Sequence, residues 1–165
     1  MVAYGHVRDV RWCIMKIYTS QGRELLDTGD DRCARDLDSI DLSGRDLRHA
    51  NLAGFLLSDA NLRSTDLRHA DLYWAILFRA DLTGADLRNA LLCGADLKEA
   101  NLAGANLRDA NLGRDNLGGA TQLQGASLAG AQLERAALTG AEYDDSTIFP
   151  EGFAPQASGM RKAAS

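Results

Sequence analysis

The stretch ADLTGADLRNALLCGADLKEANLAGANLRDANL, residues 80–112, carries a leucine at every fifth position and an alanine two residues before each one. A period of five suits neither the 3.6-residue helix nor the two-residue strand, so no single helical or extended face collects these side chains. The chain must turn once per unit. Outward from here the leucines run from Leu37 to Leu117, seventeen in succession. One extra residue intervenes near Ala120. The register then resumes at Leu123, Leu128, Leu133 and Leu138 and closes on Tyr143 and Ile148, giving twenty-three units.

If each unit is a short extended segment plus a corner, four units close a square coil of about 20 residues, stacked on the next at about 4.8 Å, the spacing of hydrogen-bonded strands. The leucine and the small residue then point inward. Glycine recurs two residues after the leucine, at Gly44, Gly54, Gly84, Gly94, Gly104, Gly130 and Gly140, where a corner calls for positive φ. Both prolines, Pro150 and Pro155, fall at or beyond the last unit, as expected of a residue that cannot join a ladder. A second period supports the coil. RDLRH, TDLRH, ADLRN and ANLRD recur at twenty-residue spacing and place Arg48, Arg68, Arg88 and Arg108 in one column, with Asp46, Asp66 and Asp86 beside it.

The tandem motif A(D/N)Lxx resembles the pentapeptide-repeat family, and the resemblance covers Arg35 to Pro150. It implies an all-β fold, a right-handed four-sided parallel β-helix, here of about six coils. AEYDDSTIFPEGFAP (residues 141–155) is similar to a C-terminal cap of bacterial members. The expected organisation is an N-terminal segment (1–33) with a capping hairpin formed by MKIYTSQGRELL, the β-helix (34–150), and a C-terminal cap and tail (151–165), mobile from Gln156. Met1 and Met15 both remain possible starts.

The 165 residues are 45% apolar and 25% charged with a formal net charge of −5, and no run of 18 apolar residues occurs, so neither a membrane span nor a secretory leader is expected. Cytoplasmic location follows by default. Cys13, Cys33 and Cys93 are odd in number and lack zinc-like or redox-like spacing, which reads as free thiols. His49 and His69 stack one coil apart, but two ligands without a third are too few for a metal. No catalytic group converges on a cleft, so neither enzyme activity nor a cofactor is expected.

Each Arg of the column is expected to pair with an Asp two residues earlier on the same outward side, which reads as a surface salt-bridge ladder rather than a nucleic-acid-binding face. Gyrase-inhibiting and quinolone-resistance members of the resembled family are acidic rods that imitate DNA, and that role stands as the alternative. Residues 34–150 hold 17 Asp and Glu against 11 Lys and Arg. Duplex DNA carries roughly 16 charges over the ~28 Å that six coils span, so the rod falls well short.

DLYWAILFRADL (residues 71–82) concentrates apolar side chains where the repeat is otherwise small and polar. With Leu72, Ala75 and Leu77 inward, Tyr73, Trp74, Ile76 and Phe78 face outward or occupy a corner. Leu56 shares the column of Ile76, and Leu91 and Cys93 share those of Asp71 and Tyr73. They form one patch on two adjoining faces. Such a patch marks a contact surface. The expected occupant is a protein partner or a second copy, on a flat wall without a small-molecule pocket; the competing reading has residues 1–33 fold back over it through Tyr4, Trp12 or Ile14. The expected function is a non-catalytic bacterial binding or scaffold module.

Overall fold

The computed structural model describes residues 16–19, 21–27 and 35–163, and no helix occurs among them. Every fifth leucine from Leu37 to Leu112 is at most 2% exposed, and the alanines two before them, from Ala60 to Ala110, line the same core. A fully buried leucine contributes about 1.5–3 kcal/mol relative to an exposed one, so this axial column is the main source of stability.

The corner has one geometry in the regular coils. The leucine carbonyl accepts from the N–H three residues on, as from Ala75 to Leu72 and from Ala80 to Leu77, both at 3.0 Å. The residue two after each leucine, from Ser39 to Asp109, has φ between 53° and 71°. Positive φ at only the third of four turn residues is the signature of a type II turn. Asp or Asn before the leucine completes the unit by accepting from the backbone N–H two residues on, as Asp71 does from Tyr73 (3.0 Å) and Asp81 from Thr83 (3.0 Å). That local bond explains why the motif demands a short acid or amide there.

Coils stack in parallel at a separation of 20 residues. Leu57 donates to Ile76 at 2.7 Å and Ile76 to Phe55 at 2.9 Å, and the same pair of bonds repeats up the rod. Bridges from Asp36 through Leu56 and Ile76 to Asp96 trace the first face; those from Asp41, Asp46 and Asn51 trace the second, third and fourth. Thr65 and Thr121 are fully buried polar exceptions, and the Thr65 hydroxyl donates to the Leu42 carbonyl at 2.9 Å.

Three expectations need correction. The irregularity near Ala120 is not a one-residue bulge. Above Asp96, Asn101, Asn106 and Asn111 the partner lies 26 residues on, so six residues leave the coil between Leu112 and Leu123. Leu117 is therefore not a core leucine but 89% exposed. The loop closes on itself: Asp115 accepts from Leu117 (2.8 Å) and Gly119 (2.6 Å) and donates its own N–H to the Gly119 carbonyl (2.9 Å). Second, Ile148 bridges Ser127 and is 55% exposed, so half-buried Phe149 takes the inward place and the last step is six residues long. Asp144 makes the longer turn by accepting from Ser146 and from Gly125 of the coil below.

Third, the described part of the stretch after Gln156 is paired at residues 161–163 rather than loose. Strand β4 (Arg161–Lys162) lies parallel to β3 (Glu142–Tyr143), with Arg161 donating to Ala141 and Ala163 to Tyr143. At the other end β1 (Lys16–Tyr18) pairs antiparallel with β2 (Glu24–Asp27). Thr19 bridges Ala50, Asn51 donates to the Tyr18 carbonyl at 2.7 Å, and Ile17 is fully buried in the leucine core. Tyr4, Trp12, Cys13, Ile14, Met15, Cys33 and most of the 1–33 segment proposed as a cover for the patch lie outside the described residues.

Candidate functional site

On the third face the coil period brings the predicted charges together. Arg48 contacts Asp46 at 2.6 Å and Asp66 at 3.7 Å; Arg68 contacts Asp66 at 2.6 Å and Asp86 at 3.6 Å; Arg88 closes on Asp86 at 2.7 Å. Hydrogen bonds from the Arg48 side chain and backbone pull Asp46 down to about 2. The Arg68 and Arg88 side chains likewise lower Asp66 and Asp86. Arg108 stands apart from this run. Asn106 replaces the acid, and Arg108 reaches Glu134 at 3.0 Å, with Arg135 on Asp109 at 2.6 Å beside it. A twenty-residue period could not reveal that partner, because the six-residue excursion shifts it to 26. His49 and His69 stack at 4.9 Å between ring centroids and 6° between planes. Among the described residues no group of three or more His, Cys, Asp and Glu is placed to hold a metal.

The apolar patch straddles the corner between the fourth and first faces. Leu56, Trp74 and Leu91 are exposed, at 40%, 45% and 46%; Tyr73, Ile76 and Phe78 are half-buried; Cys93 is buried, which raises its thiol above the ordinary range. Leu56, Ile76 and Leu91 occupy positions where the repeat places a capping Asp or Asn. At Leu56 the lost bond is replaced from the coil below, Asp38 accepting from the Ser58 N–H at 2.7 Å. Trp74 holds φ at 56°. That conformation costs a side chain with no local polar compensation roughly 1–2 kcal/mol.

The surroundings of Trp74 are cut to fit it. A Cβ on Gly94 would lie 3.1 Å from the indole, and one on Gly119 would lie 2.7 Å from it and 2.6 Å from Asp115 Oδ2. The excursion thus leaves the rod at the patch corner and lies against its tryptophan. The sequence signal for it was present: Asp115 stands where a small inward residue belongs, and Gly118-Gly119 follows. Thr121 re-enters the coil by donating to the Leu92 carbonyl at 2.8 Å and accepting from Gly94 at 3.2 Å. Here the expected flat wall is corrected. Between Tyr73, Leu91 and Cys93 and the excursion residues Arg114 and Asn116 lies a recess of about 230 Å³.

The four-faced parallel coil with inward leucine and alanine defines a class of protein, and comparisons with known proteins agree. The family model "pentapeptide repeats" matches residues 40–77, 75–114 and 120–142, and the chain belongs to that family. Its fold is a right-handed β-helix. A pentapeptide-repeat protein (Rfr23) from the cyanobacterium Cyanothece 51142 is 33% identical, with 69% of this chain and 87% of that one covered and a TM-score of 0.62. A pentapeptide-repeat protein of the Arabidopsis thaliana thylakoid lumen is 30% identical over 67% of this chain and 66% of that one, with a TM-score of 0.47. The plasmid-mediated fluoroquinolone-resistance protein QnrB1 is 17% identical over 79% and 86%, with a TM-score of 0.43. No curated protein matches the sequence. Pentapeptide-repeat proteins are generally non-catalytic structural modules. No helix among the described residues is long and apolar enough to cross a membrane.

Proposed function

We propose that this protein is a non-catalytic scaffold of a bacterial cytoplasm that holds a protein partner, or a second copy of itself, on the patch of Leu56, Tyr73, Trp74, Ile76, Phe78 and Leu91. On this reading the rod has about six coils, and the β1–β2 hairpin caps its N-terminal end. One observation carries the function: the costly departures from the repeat meet at a single corner. Three capping positions are given to leucine or isoleucine, the positive-φ position to tryptophan, and the only long excursion among the described coils folds against that tryptophan. Folding alone needs none of these, since the regular coils elsewhere from Asp36 to Asn111 place Asp or Asn before the leucine and a glycine or a polar residue at the positive-φ position.

A DNA-imitating role has less support. The densest acidic column, Asp46, Asp66 and Asp86, is neutralised by three arginines, whereas a phosphate mimic needs unpaired charge. A supercoiling assay with DNA gyrase in which the protein neither inhibits nor protects from quinolones would remove that role.

The direct test restores the consensus at the patch. In Leu56→Asp, Ile76→Asp, Leu91→Asn the new side chains regain the backbone cap, so the melting temperature holds or rises. Affinity capture from a bacterial lysate and sedimentation should then show loss of the partner, or of self-association. Unchanged partners and assembly would refute the patch as the binding surface.

A further inference from the structure

The C-terminal end of the rod carries a second surface. On the second face the ladder reaches Ile148, which donates to Ala126 while its carbonyl accepts from Leu128 at 2.6 Å. On the third face the ladder stops one coil lower. Gln132 is tied to the coil beneath by its N–H to Ala105 and its carbonyl from Leu107. The groups that point the other way in every lower coil are the carbonyl two before the leucine and the leucine N–H. Here these are Ala131 C=O and Leu133 N–H, and among the described residues neither has a backbone partner. Above them the chain turns away at Pro150, where Phe153 donates to the Pro150 carbonyl at 3.1 Å and Gly152 takes φ 74°. The result is a recess of about 350 Å³ bounded by Ala131, Leu133, Glu134 and residues 150–153.

An unpaired donor and acceptor on one strand edge form a template for another strand. The recess beside this edge is apolar on one side and acidic on the other. Leu133 and Phe153 are half-buried against the core, and Phe153 stacks on Phe149 at 5.3 Å, which in turn meets Tyr143 edge-on at 5.4 Å. Glu134 and Glu151 stand exposed at the rim. Glu134 is shared with Arg108.

We propose that this edge is a strand-addition site for an extended segment of a partner protein, one that alternates apolar residues with Lys or Arg. A carbonyl of the segment accepts from Leu133 N–H and one of its N–H groups donates to Ala131 C=O. Its apolar side chain enters the recess beside Phe153, and a basic neighbour meets Glu151, Glu134 being held by Arg108. Main-chain pairing supplies the affinity and the alternate side chains the selectivity, the logic of strand addition to an exposed sheet edge. This site is independent of the corner patch.

The test uses the full chain labelled with 15N and a capped Lys-Val-Lys-Val-Lys peptide as probe. Saturable shifts of the Leu133 and Arg135 amides, with slower hydrogen exchange at Leu133, are expected. A fully N-methylated copy should bind at least about fivefold more weakly, the loss of at least one net hydrogen bond. A Glu-Val-Glu-Val-Glu peptide should also bind more weakly, and Glu151→Lys should reverse the preference between the two charged peptides without changing the fold. No shift at these amides up to millimolar peptide, or equal binding of the N-methylated copy, would overturn the site. Amide shifts that depend on protein concentration without peptide would assign the edge to a second copy and equally overturn it.

Discussion

Neighbouring residues of one unit experience opposite environments, and Ile76, Leu77 and Phe78 make the contrast measurable. Leu77 is fully buried between the inward leucines of the coils above and below, whereas Ile76 and Phe78 are half-buried on the wall. Truncating Leu77 to Ala removes packed volume that a rigid coil cannot close and is expected to cost about 2–5 kcal/mol. The double variant Ile76→Ser, Phe78→Ser leaves the axial column intact and should melt within a few degrees of the parent. Urea denaturation of both proteins decides it: equal losses would show that the side chains do not alternate as described. The reverse experiment uses the alanine wall. Ala95 is fully enclosed, so Ala95→Leu overpacks the core and should cost about 1–3 kcal/mol.

At the scale of the unit and the loop, sequence and structure part company for a physical reason. The regular coils were legible because the inward leucine, the small residue and the capping Asp or Asn each repeat at a fixed spacing. The excursion was not, because Leu117 keeps the five-residue count while Asp115 builds a competing local turn from its own carboxylate. Counting leucines registers one added residue; six are displaced. Ile148 keeps the five-residue count in the same way while Phe149 turns inward, since Asp144 widens the preceding turn. Deleting residues 114–119 together with Ala120→Gly rejoins Leu112 to Thr121 in strict register with glycine at the corner. That protein should fold, while the tryptophan fluorescence of Trp74 shifts to the red as the covering loop is lost. Deleting Ala120 alone shortens the loop without restoring the register and gives no such gain. Failure of the six-residue deletion to fold would show that the excursion supports the coil.

The ladder on the third face gives a pH signature at the same scale. Asp46 is lowered from an ordinary value of about 3.9 to about 2 by Arg48, and Asp66 and Asp86 are lowered by Arg68 and Arg88. Carboxylates whose folded value lies below the unfolded one stabilise the fold above about pH 4 and lose that contribution as pH falls toward 2. The pairs are partly exposed, so the effect is modest. The triple variant Arg48→Gln, Arg68→Gln, Arg88→Gln should melt somewhat below the parent at neutral pH. The gap should close between about pH 4 and pH 2 as the parent's acids protonate. A gap that persists unchanged through acid would mean that the arginines act by packing and not by charge.

A β-helix differs from a closed barrel in having two ends, and each end is a set of unpaired backbone groups that other chains can extend. On the proposed reading β1 and β2 meet that hazard at the first coil, where Asn51 donates to Tyr18 and Ile17 is buried in the leucine core. Without the hairpin, the Asn51 N–H would lose its Tyr18 partner and the core would lose Ile17. The far end is closed by Tyr143, Phe149, Phe153 and Met160 instead, and its third-face edge remains open. Because repeats contact only their neighbours, stability lost at one end propagates inward one coil at a time rather than abolishing the whole rod. A chain beginning at Arg35 is therefore expected to keep a folded interior while its first coil frays and its exposed end associates. Hydrogen exchange should accelerate at Leu42, Leu47 and Asn51 but not at Leu87 or Leu92, and sedimentation should show oligomers that grow with concentration. Ile17→Ser in the full chain should reproduce the exchange pattern in milder form, because the backbone pairing to Tyr18 survives. A truncated chain that stays monomeric with unchanged exchange in the first coil would refute the hairpin as a cap.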